Sequence, residues 1–206
     1  MIELVTTEGT FSLDGQDFDV ENNIWLVGDE RRIIVIDAAH DHRPIVEAIG
    51  DRHTVAIVAT HGHNDHINAA GALSDVLDAP IWLHPDDLML WHQVYPDREP
   101  DRPLADGQEL EVGHIRLRAM HTPGHSPGGV SLYDAAGGVV FSGDTLFKGG
   151  PGATGRSFSD FPTIIESIRE RLLTLPDDTK VLPGHGQETT IGSEAPSLPD
   201  WLARGH

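Results

Sequence analysis

Four side chains able to bind metal ions fall within six residues, His61-Gly62-His63-Asn64-Asp65-His66. Zinc and iron accept imidazole and carboxylate ligands, and a catalytic site keeps one position open for water. His61 and His63 are two apart, so an extended backbone points both to the same side. Asp65 and His66 then turn toward a second position. Four ligands cannot fill two such metals, so a two-metal centre needs side chains from elsewhere in the chain.

Those side chains follow apolar runs. The ligand stretch comes directly after Thr54-Val55-Ala56-Ile57-Val58-Ala59-Thr60, whose β-branched content reads as a buried strand. Ile115 to Met120 leads into His121-Thr122-Pro123-Gly124-His125, Val139-Val140-Phe141 into Ser142-Gly143-Asp144, and Lys180-Val181-Leu182 into Pro183-Gly184-His185. Gly and Pro let a backbone turn tightly at a crowded strand end. Adding His125, Asp144 and His185 gives five His and two Asp. This inventory fits two metals. His61, His63 and His125 would hold one, Asp65, His66 and His185 the other, and Asp144 would bridge them. A hydroxide between ions about 3.5–4 Å apart would be the nucleophile, because coordination lowers the pKa of water toward ~7. Asp65 would tie that hydroxide to the second metal, so Asp65 and Asp144 are the expected catalytic carboxylates.

The elements that must position these residues follow from pattern. Ile2 to Thr6, Phe11 to Leu13, Asn23 to Val27 and Ile33 to Asp37 read as strands, with turns at Asp14-Gly15 and Gly28-Asp29. Ile33-Ile34-Val35-Ile36 is apolar throughout, as a central strand would be. Pro44 opens a short helix, and Ile67 to Leu77 has helical spacing. Ala79 to Leu83 is a short strand, and Pro85-Asp86-Asp87 a helix start. Tyr95 to Asp106 is a polar surface loop. Glu109 to Val112, Ile115 to His121, Gly129 to Tyr133, Gly138 to Ser142 and Lys180 to Leu182 complete the strands. Gly149 to Ser159 is a glycine-rich loop, and Phe161 to Leu175 a helix. The tail from Gly192 reads as irregular, with Trp201 and Leu202 packing back. Both halves run from strands to helices, which suits a sheet core with helices outside.

Composition bounds the function. The 206 residues suit one domain, and the formal net charge of -19 argues against nucleic acid and anionic membrane as partners. The chain has no cysteine, which excludes disulfides, thiolate ligands and a Cys nucleophile. No signal peptide and no bilayer-spanning run is visible, so a cytoplasmic location is expected. His40, His42, His53, His84, His92, His114, His121 and His206 are read as surface or hydrogen-bonded histidines; His84 and His121 stand out because both follow strands. Gly150-Pro151-Gly152-Ala153-Thr154-Gly155-Arg156-Ser157 comes near a phosphate loop but has Arg in the Lys position, so nucleotide binding is not expected. Lys148 or Arg156 could instead face an anionic part of a substrate.

The motifs His61-Gly62-His63-Asn64-Asp65-His66, Thr122-Pro123-Gly124-His125, Ser142-Gly143-Asp144-Thr145-Leu146-Phe147 and Pro183-Gly184-His185-Gly186 resemble those of the metallo-β-lactamase superfamily, in order and over nearly the whole chain. The nearest branch is glyoxalase II-like, the hydroxyacylglutathione hydrolases. The resemblance implies an α/β fold, a four-layer αβ/βα sandwich of two mixed sheets flanked by helices. It implies the ligand assignment above, two divalent metal ions (zinc first, iron or manganese as alternatives), and Asp37 as support for the metal loop. The implied activity is hydrolysis of a thioester, such as an S-acyl conjugate of a small thiol. Only 21 residues follow His185, so the C-terminal helical domain of full-length glyoxalase II is expected to be absent. Gly155-Arg156 and Asp160-Phe161 also resemble the persulfide dioxygenase branch, which uses one iron held by two His and one Asp. A lactonase or other small-ester hydrolase could use the same site, and a retained metal fold serving as a binding module is a third class.

Overall fold

A computed structural model describes residues 1–205 of the chain; His206, read above as a non-ligand, lies outside the described residues. Strands β1 (Ile2–Leu13) and β2 (Gln16–Gly28) form a long antiparallel hairpin in which Leu13 pairs with Gln16. Asp14 and Gly15 both take positive φ, 54° and 71°, the turn that matches the right-handed twist of paired strands. The first two predicted strands are therefore one. The first sheet continues through β3 (Arg32–Ile36), β4 (His53–Val58), β5 (Ile81–Leu83) and β6 (Arg102–Pro103), in that order and parallel from β3 onward. Helices α1 (His42–Ile49), α2 (Asn64–Ile67), α3 (Ala70–Leu77) and α4 (Leu88–Val94) connect these strands.

The second half builds the second sheet from β7 (Glu109–Val112), β8 (Ile115–His121), β9 (Val130–Asp134), β10 (Val139–Gly143), β13 (Lys180–Pro183) and β14 (Thr189–Thr190), in the order β14-β13-β10-β9-β8-β7. The short strands β11 (Leu146–Phe147) and β12 (Gly150–Pro151) pair with each other beside it. Helix α5 (Phe161–Ser167) runs on into a wider turn over Ile168–Leu172, and α6 (Ile191–Glu194) and α7 (Leu198–Arg204) follow β14.

The period-two alternation of strand side chains sorts the apolar residues into three cores. Along β3, Ile33 and Val35 face α1, α3 and α4, while Ile34 and Ile36 face the other sheet. Along β10, Val139 and Phe141 join that inter-sheet core and Val140 faces the outer helices with Ile164, Ile168 and Trp201. Helix, sheet, sheet, helix is the four-layer sandwich expected from the motifs.

Several expectations need correction, among them the polar surface loop read over Tyr95 to Asp106, which carries β6 and the buried Leu104. The helix read over 67–77 is two, because Asn68 and Ala69 separate α2 from α3; Asn68 instead uses its side chain to hold His40. The helix read to Leu175 loses its α pitch after Ser167. The tail is helical, not irregular: Pro196 and Pro199 sit in first turns, where a missing N–H is harmless. Trp201 is buried, as expected, and Leu202 is 53% exposed. Among the described residues no helix is long and apolar enough to cross a membrane.

Candidate metal centre

The predicted residues converge at one edge of the two sheets, on loops leaving the C-terminal ends of β3, β4, β8, β10 and β13. β4 delivers His61 and His63, and α2 then turns Asp65 and His66 inward. His61 Nε2 lies 3.0 Å from His63 Nδ1, which lies 3.0 Å from His125 Nε2. Next to this triad, His185 Nε2 is 3.2 Å from both His66 Nε2 and Asp65 Oδ2. Asp144 stands between the triads, its Oδ2 3.6 Å from His125 Nε2 and 3.5 Å from His185 Nε2. Bonds of about 2.0–2.1 Å in a tetrahedron put ligand atoms roughly 3.3 Å apart, so these spacings are those of ligand-sphere edges.

The outer nitrogens of the rings have acceptors. His125 Nδ1 donates to the Ala153 carbonyl (2.8 Å), His185 Nδ1 to the Glu21 carbonyl (2.7 Å) and His66 Nδ1 to Asp37 Oδ2 (2.9 Å). Thr60 Oγ1 donates to Asp37 Oδ2 at 2.8 Å, so it accepts from His61 Nδ1 at 3.2 Å. In the neutral form each of these four imidazoles then turns a lone pair inward. Lone pairs 3 Å apart repel unless a cation lies among them. The buried His63 Nε2, Asp65 Oδ1 and Asp144 Oδ1 have no hydrogen-bond partner. Donor set and geometry both fit metal ions.

Electrostatics point the same way. Burial and neighbouring imidazoles push His61 far below the usual imidazole range and His63 down to about 3. Burial would raise the Asp65 and Asp144 carboxyls, but His66 and His185 outweigh it, holding Asp65 at about 2 and Asp144 well below the carboxylate range. Burial would also lower His66 and His185, yet Asp144 and Asp65 raise both. The centre therefore holds ionised carboxylates that draw positive charge, and without a cation that charge is a proton.

Asp37 sits at φ 59°, a left-handed conformation uncommon outside Gly that Asp takes more readily than most residues, and its buried carboxylate accepts from Thr60 N (2.7 Å), Thr60 Oγ1 and His66 Nδ1. It joins the ends of β3 and β4 to a ring of the second triad. Asp37→Ala should lower metal affinity about 10–100-fold, the usual effect of removing a carboxylate behind a ligating His. Competition with a chromogenic chelator measures this, and wild-type affinity would contradict the role.

Two residues escaped sequence reasoning. Asp87 is fully buried and accepts from Gly62 N (2.7 Å), Ser126 Oγ (2.7 Å) and Gly128 N (2.6 Å), tying the His61 loop to the His125 loop. Asn22, also fully buried, directs its amide nitrogen to Asp65 Oδ2 at 3.2 Å. An acid after Pro-Asp and an Asn inside a strand carry no distinguishing signal.

A cavity of about 370 Å³ opens on the centre, with His63, Asp65, His125, Asp144 and His185 in its lining and Phe11, Val20, Phe147 and Ala153 among its walls. Neither Lys148 nor Arg156 lines it. Lys148 Nζ donates to Gln187 Oε1, while Arg156 lies 4.6 Å over the Phe18 ring and donates to Gln16 Oε1. Arg156 thus clasps the β1–β2 hairpin to the glycine-rich loop. His84 and His121 stack with centroids 4.2 Å apart and planes at 7°, close to Asp86. An ion must lie near the plane of each ring that binds it, and stacked parallel planes share no such point, so this cluster is not a second metal site as it stands.

The family model of the metallo-beta-lactamase superfamily matches residues 18–185. The chain belongs to that superfamily. As the motifs implied, it shares the fold and metal-binding character of this group of metallo-hydrolases. Hydroxyacylglutathione hydrolase GloC of Haemophilus influenzae is 32% identical, over 85% of this chain and 89% of that one. The crystal structure of TTHA1623 in a di-iron-bound form is 36% identical with a TM-score of 0.78, covering 85% of this chain and 93% of that one. ETHE1 from Myxococcus xanthus is 26% identical with a TM-score of 0.75, covering 97% and 85%.

Proposed function

We propose that this superfamily member is a two-metal hydrolase of thioesters, acting on an S-acyl conjugate of a small thiol. The observation that carries the proposal is the intact second triad. Asp65, His66 and His185 present inner atoms within 3.5 Å of one another, and Asp144 reaches both this triad and the His61 set. The likeness to a di-iron-bound structure supports two ions, and the likeness to a hydroxyacylglutathione hydrolase supports the thioester. Zinc, iron and manganese all suit this donor set.

His61, His63 and His125 would hold one ion and Asp65, His66 and His185 the other, with Asp144 between. When bound, the ions supply a hydroxide at neutral pH and a Lewis acid for the carbonyl oxygen. The chain's own residues do the rest. Asp37, Ala153 O and Glu21 O keep the imidazole lone pairs inward. Phe11, Val20 and Phe147 offer apolar wall to an acyl chain and keep water off the reacting carbonyl. A thiol with a pKa of about 8.5 leaves as thiolate without a dedicated acid. With no Lys or Arg lining the cavity among the described residues, a carrier with little negative charge suits it best.

The resemblance of Gly155-Arg156 and Asp160-Phe161 to the persulfide dioxygenase branch favours a second reading, a mononuclear iron enzyme of that kind in which Asp65, His66 and His185 do not ligate. One assay separates the two. Metal-loaded protein should discharge a thioester, followed by loss of thioester absorbance, and stop on chelation. No thioester turnover, together with oxygen uptake on glutathione persulfide, would replace the first reading by the second.

A further inference from the structure

We infer that Asn22, oriented by His40, is a positioning residue for the second triad: its amide nitrogen holds the inner oxygen of Asp65 and sets how Asp65, His66 and His185 face one another. The inference rests on the two-metal reading above. Asn22 Nδ2 lies 3.2 Å from Asp65 Oδ2 and 3.4 Å from both His66 Nε2 and His185 Nε2, so it touches every member of that triad. It makes no hydrogen bond to His61, His63 or His125.

The direction of the amide follows from its partners. The His40 backbone N–H donates to Asn68 Oδ1, which turns Asn68 Nδ2 toward His40 Nδ1 at 3.1 Å. His40 Nδ1 is then an acceptor and Nε2 carries the proton. Nε2 lies 2.8 Å from Asn22 Oδ1, which accepts, and the Asn22 nitrogen is left facing Asp65. Donors and acceptors match along the whole path from Asn68 to Asp65.

The backbone bends to admit this relay. His40 takes φ 56°, a left-handed conformation uncommon for a residue with a Cβ. Across from it, Gly9 on β1 makes the room: a Cβ there would come within 2.1 Å of His40 Nδ1. Gly9 pairs with Val20, two residues before Asn22 on β2. A strained histidine and a glycine facing it serve a ring whose far nitrogen ends on Asn22. A buried amide that merely filled space would need neither.

The test is a two-step zinc titration of the metal-free full chain, in competition with a chromogenic chelator. Asn22→Ala and His40→Ala should weaken the second zinc about tenfold or more and leave the first unchanged. His40→Gln, which keeps a donor for Asn22 Oδ1, should restore most of the loss. Gly9→Ala reaches the relay from a strand that holds no ligand and covers the case in which Asn22→Ala does not fold. It should reproduce the selective weakening. Two steps of wild-type affinity in these variants, or equal weakening of both steps, would overturn the relay while the two-metal reading stands. A wild-type chain that takes up a single ion would instead overturn the reading itself.

Discussion

Asp144→Ala is expected to abolish the proposed thioester hydrolysis, with kcat/KM falling by about 10³-fold or more, which is roughly 4 kcal/mol of barrier. The Asp144 carboxylate reaches both triads. Its Oδ2 is 3.6 Å from His125 Nε2 and 3.5 Å from His185 Nε2, and its Oδ1 is 3.4 Å from His66 Nε2. Removing it deletes an acceptor common to both proposed ion positions and the negative charge that would offset them. Metal content should fall with activity, and the second ion should be lost first. Asp144→Asn keeps the shape but not the charge, so it should recover little. Turnover at the wild-type rate in Asp144→Ala would remove the bridging role, whatever the fold.

Asp87→Ala acts through stability instead. Its carboxylate is the acceptor for Gly62 N, Ser126 Oγ and Gly128 N, all buried. Each orphaned donor costs about 1–3 kcal/mol, and the losses do not simply add. A total of about 3–5 kcal/mol is expected, a fall in Tm of about 10 °C for a chain of this size. The two loops that present His61, His63 and His125 would then move independently, and activity should fall along with Tm. Scanning calorimetry of the metal-free protein reads the stability part alone, and an unchanged Tm would show that the three donors find other partners.

What was legible in the sequence was whatever repeats a local rule. Four strand ends followed by Gly or Pro and then by His or Asp are visible without coordinates, and Asp144 and His185, which lie beside the His61 cluster, were read from them. The apolar run Ile33 to Ile36 announced a strand covered on both faces, and Asp14-Gly15 announced its hairpin. Asp87, Asn22 and His40 were hidden because their roles depend on partners 18 to 43 residues away, such as Gly62, Ser126 and Gly128 for Asp87, Asp65 for Asn22, and Asn22 and Asn68 for His40. A buried Asn in β2 looks like any strand residue, and Asp87 looks like the start of α4. The tail was misread for a local reason: Gly192, Pro196 and Pro199 look like breakers until Trp201 is seen packed beneath α5. Arg156 had the right charge and loop for a substrate contact, but only the structure shows it engaged with Phe18 and Gln16.

Seven side chains on four loops are proposed to hold two ions, and metal stoichiometry tests this most directly. Elemental analysis of the purified chain, expressed without added metal and then loaded, should find two ions per chain. His185→Ala, which removes one member of the second triad and leaves the His61 set whole, should retain one. A wild-type chain that saturates at a single ion, with His185→Ala unchanged, would contradict the account.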